Sequence, residues 1–247
     1  MKIRFVGTGE ALDGNRMNTS ILVDDRILLD CGYGIAHALV QEKLYEKVDY
    51  LCLSHFHGDH FAGTSALLLI FGEEKRSRPF EFIGPAGIKD VMANQFSFHY
   101  GKHSVDELDC ALKFTEMSDG AELDRDGYQL VFCKTRHTVP SFAVKVTHVQ
   151  SGVSVVYTGD TEISDELVSF FEGSDMVIAE CYEADGHHQG HSSAVVLGEK
   201  LAAVKKPSRV AVVHCSRHRD RNQIRSILAQ SYAGEILMPE DGDIVEV

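Results

Sequence analysis

Residues 54–60 read S-H-F-H-G-D-H, and four of these seven side chains (His55, His57, Asp59 and His60) can ligate a metal. On extended backbone, residues two apart point the same way, so His55 and His57 can grip one ion. Asp59 and His60, past the Gly58 turn, can grip a second, which makes the stretch a binuclear metal-site signature. The preceding D-Y-L-C-L reads as a buried strand and the following F-A-G-T-S-A-L-L-L-I-F as an apolar helix. The ligands are therefore expected on a strand-to-helix loop, where rigid flanks position irregular backbone.

Outward from this motif, apolar β-type runs recur at 2–6, 20–23, 27–29, 50–53, 80–83, 111–115, 129–133, 142–149, 153–158, 176–179 and 209–213. Helical patterns fall at 35–43, 61–71, 88–96, 164–171, 192–204 and 221–232. Both halves mix the two, so the class is α/β, with two packed sheets and helices outside. Five scattered prolines, with no Ser/Gly/Pro-rich linker and no low-complexity tract, predict a single domain over 1–247.

Four later strands end at a candidate site residue. The run at 129–136 leads to His137, the strand at 153–158 leads through Gly159 to Asp160, the strand from Met176 leads to Glu180, and the strand at 209–213 leads to His214. Strand ends converging on one edge gather distant residues into one pocket. Counting ligands, His55, His57 and His137 supply three nitrogens to one metal, Asp59, His60 and His214 ligate the other, and Asp160 can bridge both. Four protein ligands per ion leave room for a shared hydroxide. The mixed nitrogen and carboxylate set suits two divalent ions, zinc first, with manganese or iron as alternatives. Hydrolysis is the chemistry such a pair supports.

Composition narrows the substrate. With 37 acidic and 24 basic residues the net charge is −13, which disfavours a broad nucleic-acid surface. Two divalent ions would still concentrate positive charge where a small anion binds. Six cysteines (31, 52, 110, 133, 181 and 215) form no C-x-x-C pair and read as reduced core residues; Cys215 stands out only for following His214. The opening M-K-I-R-F-V-G-T-G lacks a signal-peptide core, and no apolar run reaches membrane-spanning length. A cytoplasmic protein without a membrane partner is expected.

H-x-H-x-D-H, an isolated later His, the Asp of T-G-D-T and a late His together resemble the metallo-β-lactamase superfamily. Further matching stretches are G-T-G at 7–9, R-M-N-T-S at 16–20, L-L-D-C-G at 28–32 and G-P-A-G at 84–87. Within the superfamily, H-T-V-P-S-F at 137–142, T-G-D-T at 158–161 and G-H-S-S-A at 190–194 resemble the ribonuclease Z branch, which cleaves phosphodiesters. The resemblance implies a four-layer αββα sandwich and a homodimer. It also implies that His191, in G-H-S-S, protonates the departing oxygen, that Glu180, in A-E-C-Y, orients His191, and that Asp59 serves as ligand and as proton acceptor for the attacking water. Ala179 stands where that branch usually has His.

One departure bears on substrate. Many ribonuclease Z enzymes insert a long arm that grips transfer RNA between the positions of His137 and Asp160, and this chain has 22 residues there, consumed by two strands and a Q-S-G-V turn. The expectation is a metal-dependent phosphodiesterase acting on a small or cyclic phosphodiester. Alternatives are a ribonuclease Z-type transfer-RNA 3′ endonuclease with RNA as partner, an ester, thioester or lactone hydrolase, and a metal-bound regulatory protein without turnover. Two segments remain open: residues 94–103, aromatic and histidine-rich, as lid or helix end, and the R-H-R-D-R run at 217–221, as phosphate contact or helix start. His187 and His188 read as surface loop.

Overall fold

Short runs rich in Val, Ile, Leu and Phe pair into two sheets because each run is long enough to cross a sheet and too short to form a stable helix. The computed structural model describes residues 1–101 and 108–247. Its first half contains β1 (Lys2–Gly7), β2 (Ser20–Val23), β3 (Ile27–Leu29), α1 (Ile35–Gln41), β4 (Tyr50–Cys52), α2 (Gly58–Phe61), α3 (Thr64–Glu73), β5 (Phe80–Gly84), α4 (Ile88–Tyr100) and β6 (Leu112–Glu116). The second half contains β7 (Glu122–Arg125), β8 (Tyr128–Lys134), β9 (Phe142–His148), β10 (Ser154–Tyr157), α5 (Asp165–Phe171), β11 (Met176–Glu180), α6 (Ala194–Ala202), β12 (Arg209–Val213), α7 (Arg221–Ser231), β13 (Glu235–Leu237) and β14 (Ile244–Glu246).

The strand orders are β14-β1-β2-β3-β4-β5-β6 and β13-β12-β11-β10-β9-β8-β7, seven strands each. Each half begins with antiparallel pairing and continues with parallel strands joined by helices: β1-β2-β3 then β4-β5-β6, and β7-β8-β9-β10 then β11-β12-β13. Ile3, Phe5, Ile21 and Leu29 of one sheet pack with Leu130, Phe132, Val144 and Ile178 of the other. The outer face of the first sheet is covered by Ile35, Leu39, Leu67, Phe71 and Met92, and that of the second by Leu167, Phe171, Leu197 and Leu228. These layers are the expected αββα sandwich. Burial on both faces explains why β2, β3, β5, β10 and β11 are buried along their whole length.

The helix expected over residues 61–71 is divided into α2 and α3. The break is steric and hydrogen-bonded: a Cβ on Gly63 would stand 2.2 Å from the Gly32 carbonyl oxygen, and the Gly63 N–H donates to the Cys31 carbonyl at 2.9 Å. All six cysteines are free and buried, and burial pushes the Cys215 thiol up to about 12. Among the described residues, no helix is long and apolar enough to cross a membrane. Residues 142–157 form the tight β9-β10 hairpin, closed by the His148 N–H to Val153 carbonyl bond at 2.9 Å, with no arm inserted.

The chain ends are fastened together. β14 pairs with β1, Lys2 opposite Glu246. The Asp241 carboxylate accepts from the Thr8 N–H and hydroxyl, both at 2.9 Å, and from the Met17 N–H at 2.7 Å. The Thr8 carbonyl in turn accepts the His214 N–H at 2.9 Å.

Candidate metal centre

Asp30 organises the floor of the site. It follows β3 in left-handed backbone (φ 61°) and is fully buried. Its Oδ1 accepts the Ser54 N–H at 2.6 Å, while its Oδ2 accepts from the Ser54 hydroxyl (2.7 Å), the Tyr157 hydroxyl (2.7 Å) and His60 Nδ1–H (2.8 Å). A buried carboxylate is tolerated when its lone pairs are used in this way. The backbone beside it is equally tight: a Cβ on Gly32 would lie 1.9 Å from the Asp59 carbonyl oxygen, so glycine lets the loop after β3 press directly on the metal motif.

The motif leaves β4 at Cys52, and α2 begins after His57, whose carbonyl accepts the His60 N–H at 2.9 Å. The Ser54 hydroxyl spends its proton on Asp30, so at 2.9 Å it accepts His55 Nδ1–H. His55 Nε2 is then a lone-pair nitrogen. His137 Nδ1–H donates to the Gly190 carbonyl at 2.7 Å, which likewise leaves its Nε2 bare. These two nitrogens each stand 3.1 Å from His57 Nδ1. Three nitrogens at this spacing, two of them certain acceptors, cannot all be satisfied by one another; a cation between them satisfies all three. Burial lowers the pKa of His55, His57 and His137, which keeps them neutral and ready to ligate.

The second cluster combines Asp59, His60, Asp160 and His214. His60 Nε2 lies 3.3 Å from Asp59 Oδ2 and 3.2 Å from Asp160 Oδ2, and His214 Nε2 lies 3.2 and 3.4 Å from the same two oxygens. His60 Nε2 is buried and makes no hydrogen bond, although Asp30 fixes the other side of its ring. An ion is the partner this geometry fits. Burial opposes charge on His60 and His214, but Asp160, with Asp30 on His60 and Asp59 on His214, outweighs it and raises both pKa values. Asp59 and Asp160 are held below the usual carboxylate range; burial opposes this, and His60 and His214 prevail. Asp160 also falls in a group with His137 and His191, so its carboxylate lies between the two clusters.

His191 stands outside both ligand sets. Its Nδ1 lies 3.2 Å from Glu180 Oε1, and its ring stacks on His214 with centroids 5.6 Å apart. Glu180, at the buried end of β11, accepts the Thr161 N–H (3.1 Å), the Ser192 N–H (3.0 Å) and the Tyr182 N–H (3.0 Å). Those bonds leave it no free side toward an ion. Burial opposes charge on His191, but the Glu180 carboxylate beside it outweighs this and raises the pKa; burial raises that of Glu180.

All nine residues singled out from the sequence thus meet at one edge. Asp30, Ser54, Tyr157 and the Gly190 carbonyl were not foreseen in these roles. The available signal was an acidic residue closing an apolar strand, L-L-D, a buried carboxylate needing partners. The 217–221 run is a helix start: Asp220 caps α7 through the Asn222 N–H, Arg217 pairs with Glu10 at 2.9 Å and Arg219 with Glu183 at 2.5 Å. Residues 94–100 end α4, with Ser65 and His99 in contact at 2.7 Å, while Lys102 and His103 lie outside the described residues. His187 and His188 are exposed, as expected.

Comparison with known proteins is consistent with this geometry. The family described as "Anti-Pycsar protein Apyc1" matches residues 1–228. A ribonuclease Z of Ignicoccus hospitalis is 25% identical over 264 aligned residues, covering 85% of this chain and 86% of its own. The metallo-β-lactamase fold protein YhfI from Bacillus subtilis superposes with a TM-score of 0.82 at 22% identity, covering 99% of this chain and 98% of that one. The short form of human tRNase Z superposes with a TM-score of 0.78 at 20% identity, over 100% and 99% of the two chains.

Proposed function

The chain belongs to the Anti-Pycsar protein Apyc1 family, a metallo-β-lactamase-fold branch of metal-dependent hydrolases, and from that premise we propose that it hydrolyses a cyclic nucleotide at its phosphodiester. The residues 1–247 act in this reading as one catalytic unit. Two divalent ions, when bound, supply an acidified water and a clamp on the phosphoryl oxygens. His55, His57 and His137 would hold one, Asp59, His60 and His214 the other, with Asp160 between them. The nitrogen-rich first set favours zinc. The homodimer and the cytoplasmic location expected from the sequence belong to the same proposal.

The observation that carries the reaction class is His191, held 3.2 Å from Glu180 and beside His214 but outside both ligand sets. A dedicated acid is most useful when a poor alkoxide leaves phosphorus. Asp59, kept ionised, accepts a proton from the attacking water as the new oxygen–phosphorus bond forms. His191 gives its proton to the sugar oxygen as the old phosphorus–oxygen bond breaks, and Glu180 stabilises the imidazolium before transfer. The product is a nucleoside monophosphate, one water added.

The compact β9-β10 hairpin and the net charge of −13 support a small substrate over transfer RNA. The test is a metal-analysed panel of cyclic nucleotides, bis-p-nitrophenyl phosphate, a thioester and precursor transfer RNA. Turnover of cyclic nucleotides with little trailer cleavage is expected. Efficient, salt-tolerant cleavage of the 3′ trailer without turnover of small diesters would replace this reading with a ribonuclease.

A further inference from the structure

Tyr33 is 61% exposed, an unusual position for a large aromatic ring. Its ring nonetheless touches the backbone of the metal motif. A Cβ placed on Gly58 would stand 2.5 Å from the Tyr33 phenolic oxygen and 3.2 Å from its Cζ, so the phenol rests on bare glycine backbone between His57 and Asp59. Those neighbours belong to different ligand clusters. The backbone on either side of Tyr33 is fixed as well, by Gly32 pressed against the Asp59 carbonyl and by left-handed Gly34 (φ 81°), which starts α1 over buried Ile35 and Ala36. Asn18 ties in the neighbouring loop: its Cβ lies 2.7 Å from where a Gly32 Cβ would be, and its side-chain amide donates to the Glu10 carbonyl at 3.0 Å. Beyond Glu10, that loop carries Leu12, 68% exposed.

We propose that Tyr33 is the platform on which the base of the nucleotide stacks while the phosphate occupies the metal centre. The inference rests on the cyclic-nucleotide reading above and names what that substrate meets outside the ligand clusters. An aromatic side chain seated at its phenol end and largely exposed presents a π-surface at little entropic cost, and every base offers a matching face. Stacking tolerates any base, so Tyr33 contributes affinity for nucleotides as a class and little choice among them.

The rival platform is Phe98 of α4, 87% exposed, in the segment that the sequence left open as a lid. Calorimetric binding of a nucleoside 5′-monophosphate and of ribose 5-phosphate to metal-loaded protein decides between them, with metal content measured throughout. The wild type should bind the nucleotide more tightly. Tyr33→Ala should lose about tenfold for the nucleotide and nothing for ribose 5-phosphate, Tyr33→Phe should retain the preference, and Phe98→Ala should resemble wild type. Equal loss on both ligands, loss of metal, or a preference that disappears in Phe98→Ala would overturn the proposal. The two readings fail separately. A Tyr33-dependent preference without cyclic-nucleotide turnover would sink the reaction and keep the platform; turnover with unchanged kcat/KM in Tyr33→Ala would do the reverse.

Discussion

The His55–His57–His137 cluster and the Asp59–His60–Asp160–His214 cluster share an edge of the fold and handle protons in opposite ways. In the first, burial and mutual repulsion leave the imidazoles neutral. In the second, Asp160, with Asp30 on His60 and Asp59 on His214, favours the protonated imidazoles against the cost of burial. The first cluster therefore accepts a cation without exchanging anything, while the second accepts one by expelling protons that occupy its place. A buried site can be prepared for metal by desolvation or by a displaceable proton, and this molecule uses both within a few ångströms.

The largest expected effect comes from removing the carboxylate between the clusters. Asp160→Ala should lower turnover on the order of a thousandfold and deplete metal, because several kcal/mol of charge stabilisation depends on it. Full metal content with normal turnover would break the assignment. His191→Ala comes next: both ions should remain while turnover of a poor-leaving-group diester falls about a hundredfold, and the loss should shrink for an activated p-nitrophenyl ester. Equal losses on both substrates would remove His191 from the acid role.

Asp30→Asn sharpens the comparison from beneath the second cluster. It should weaken metal binding about tenfold to a hundredfold, the usual range for a carboxylate behind a ligating histidine, and equilibrium dialysis should show the larger deficit in the ion held by His60, which Asp30 bonds directly, and a smaller one in the ion held by His55, which it reaches only through Ser54. Equal weakening of both would mean that the clusters are not separately supported. The smallest effect concerns pH. His60 and His214 carry raised pKa values, so they are protonated below those values and lose their protons as pH rises through them. Metal loading at pH 7 should therefore release protons, with the release vanishing at higher pH, while the three-histidine cluster contributes none. Calorimetry in buffers of different ionisation enthalpy measures this, and buffer-independent heats at pH 7 would contradict it.

How far the sequence revealed this centre depends on how local each part is. His55, His57, Asp59 and His60 lie on one peptide, so their spacing alone shows a pair of ions. His137, Asp160 and His214 come one per strand end, and they were legible because the strands preceding them are continuous apolar runs. Asp30, Ser54 and Tyr157 escaped because their roles are relations among β3, the β4 loop and β10 that no single window contains. β7, β13 and β14 were missed because they are short, partly exposed edge strands whose residues, as in E-L-D-R, lack an apolar pattern. The division between α2 and α3 was hidden because the packing of Gly63 against Gly32 is a tertiary contact.

The tie between β1 and β14 sets an order for synthesis. β1 is made well before β14, and its outer edge meets that strand only after residue 246 has been made, roughly ten to fifty seconds later at ordinary elongation rates. The loop bearing His214 rests on Thr8, which Asp241 holds in place. The second cluster therefore gains its full support only after residue 241 has been made, and until β14 follows, the open edge of β1 invites pairing with other chains. The four ligands of residues 55–60 thus wait for more than 150 residues of synthesis before His214 and its support are in place.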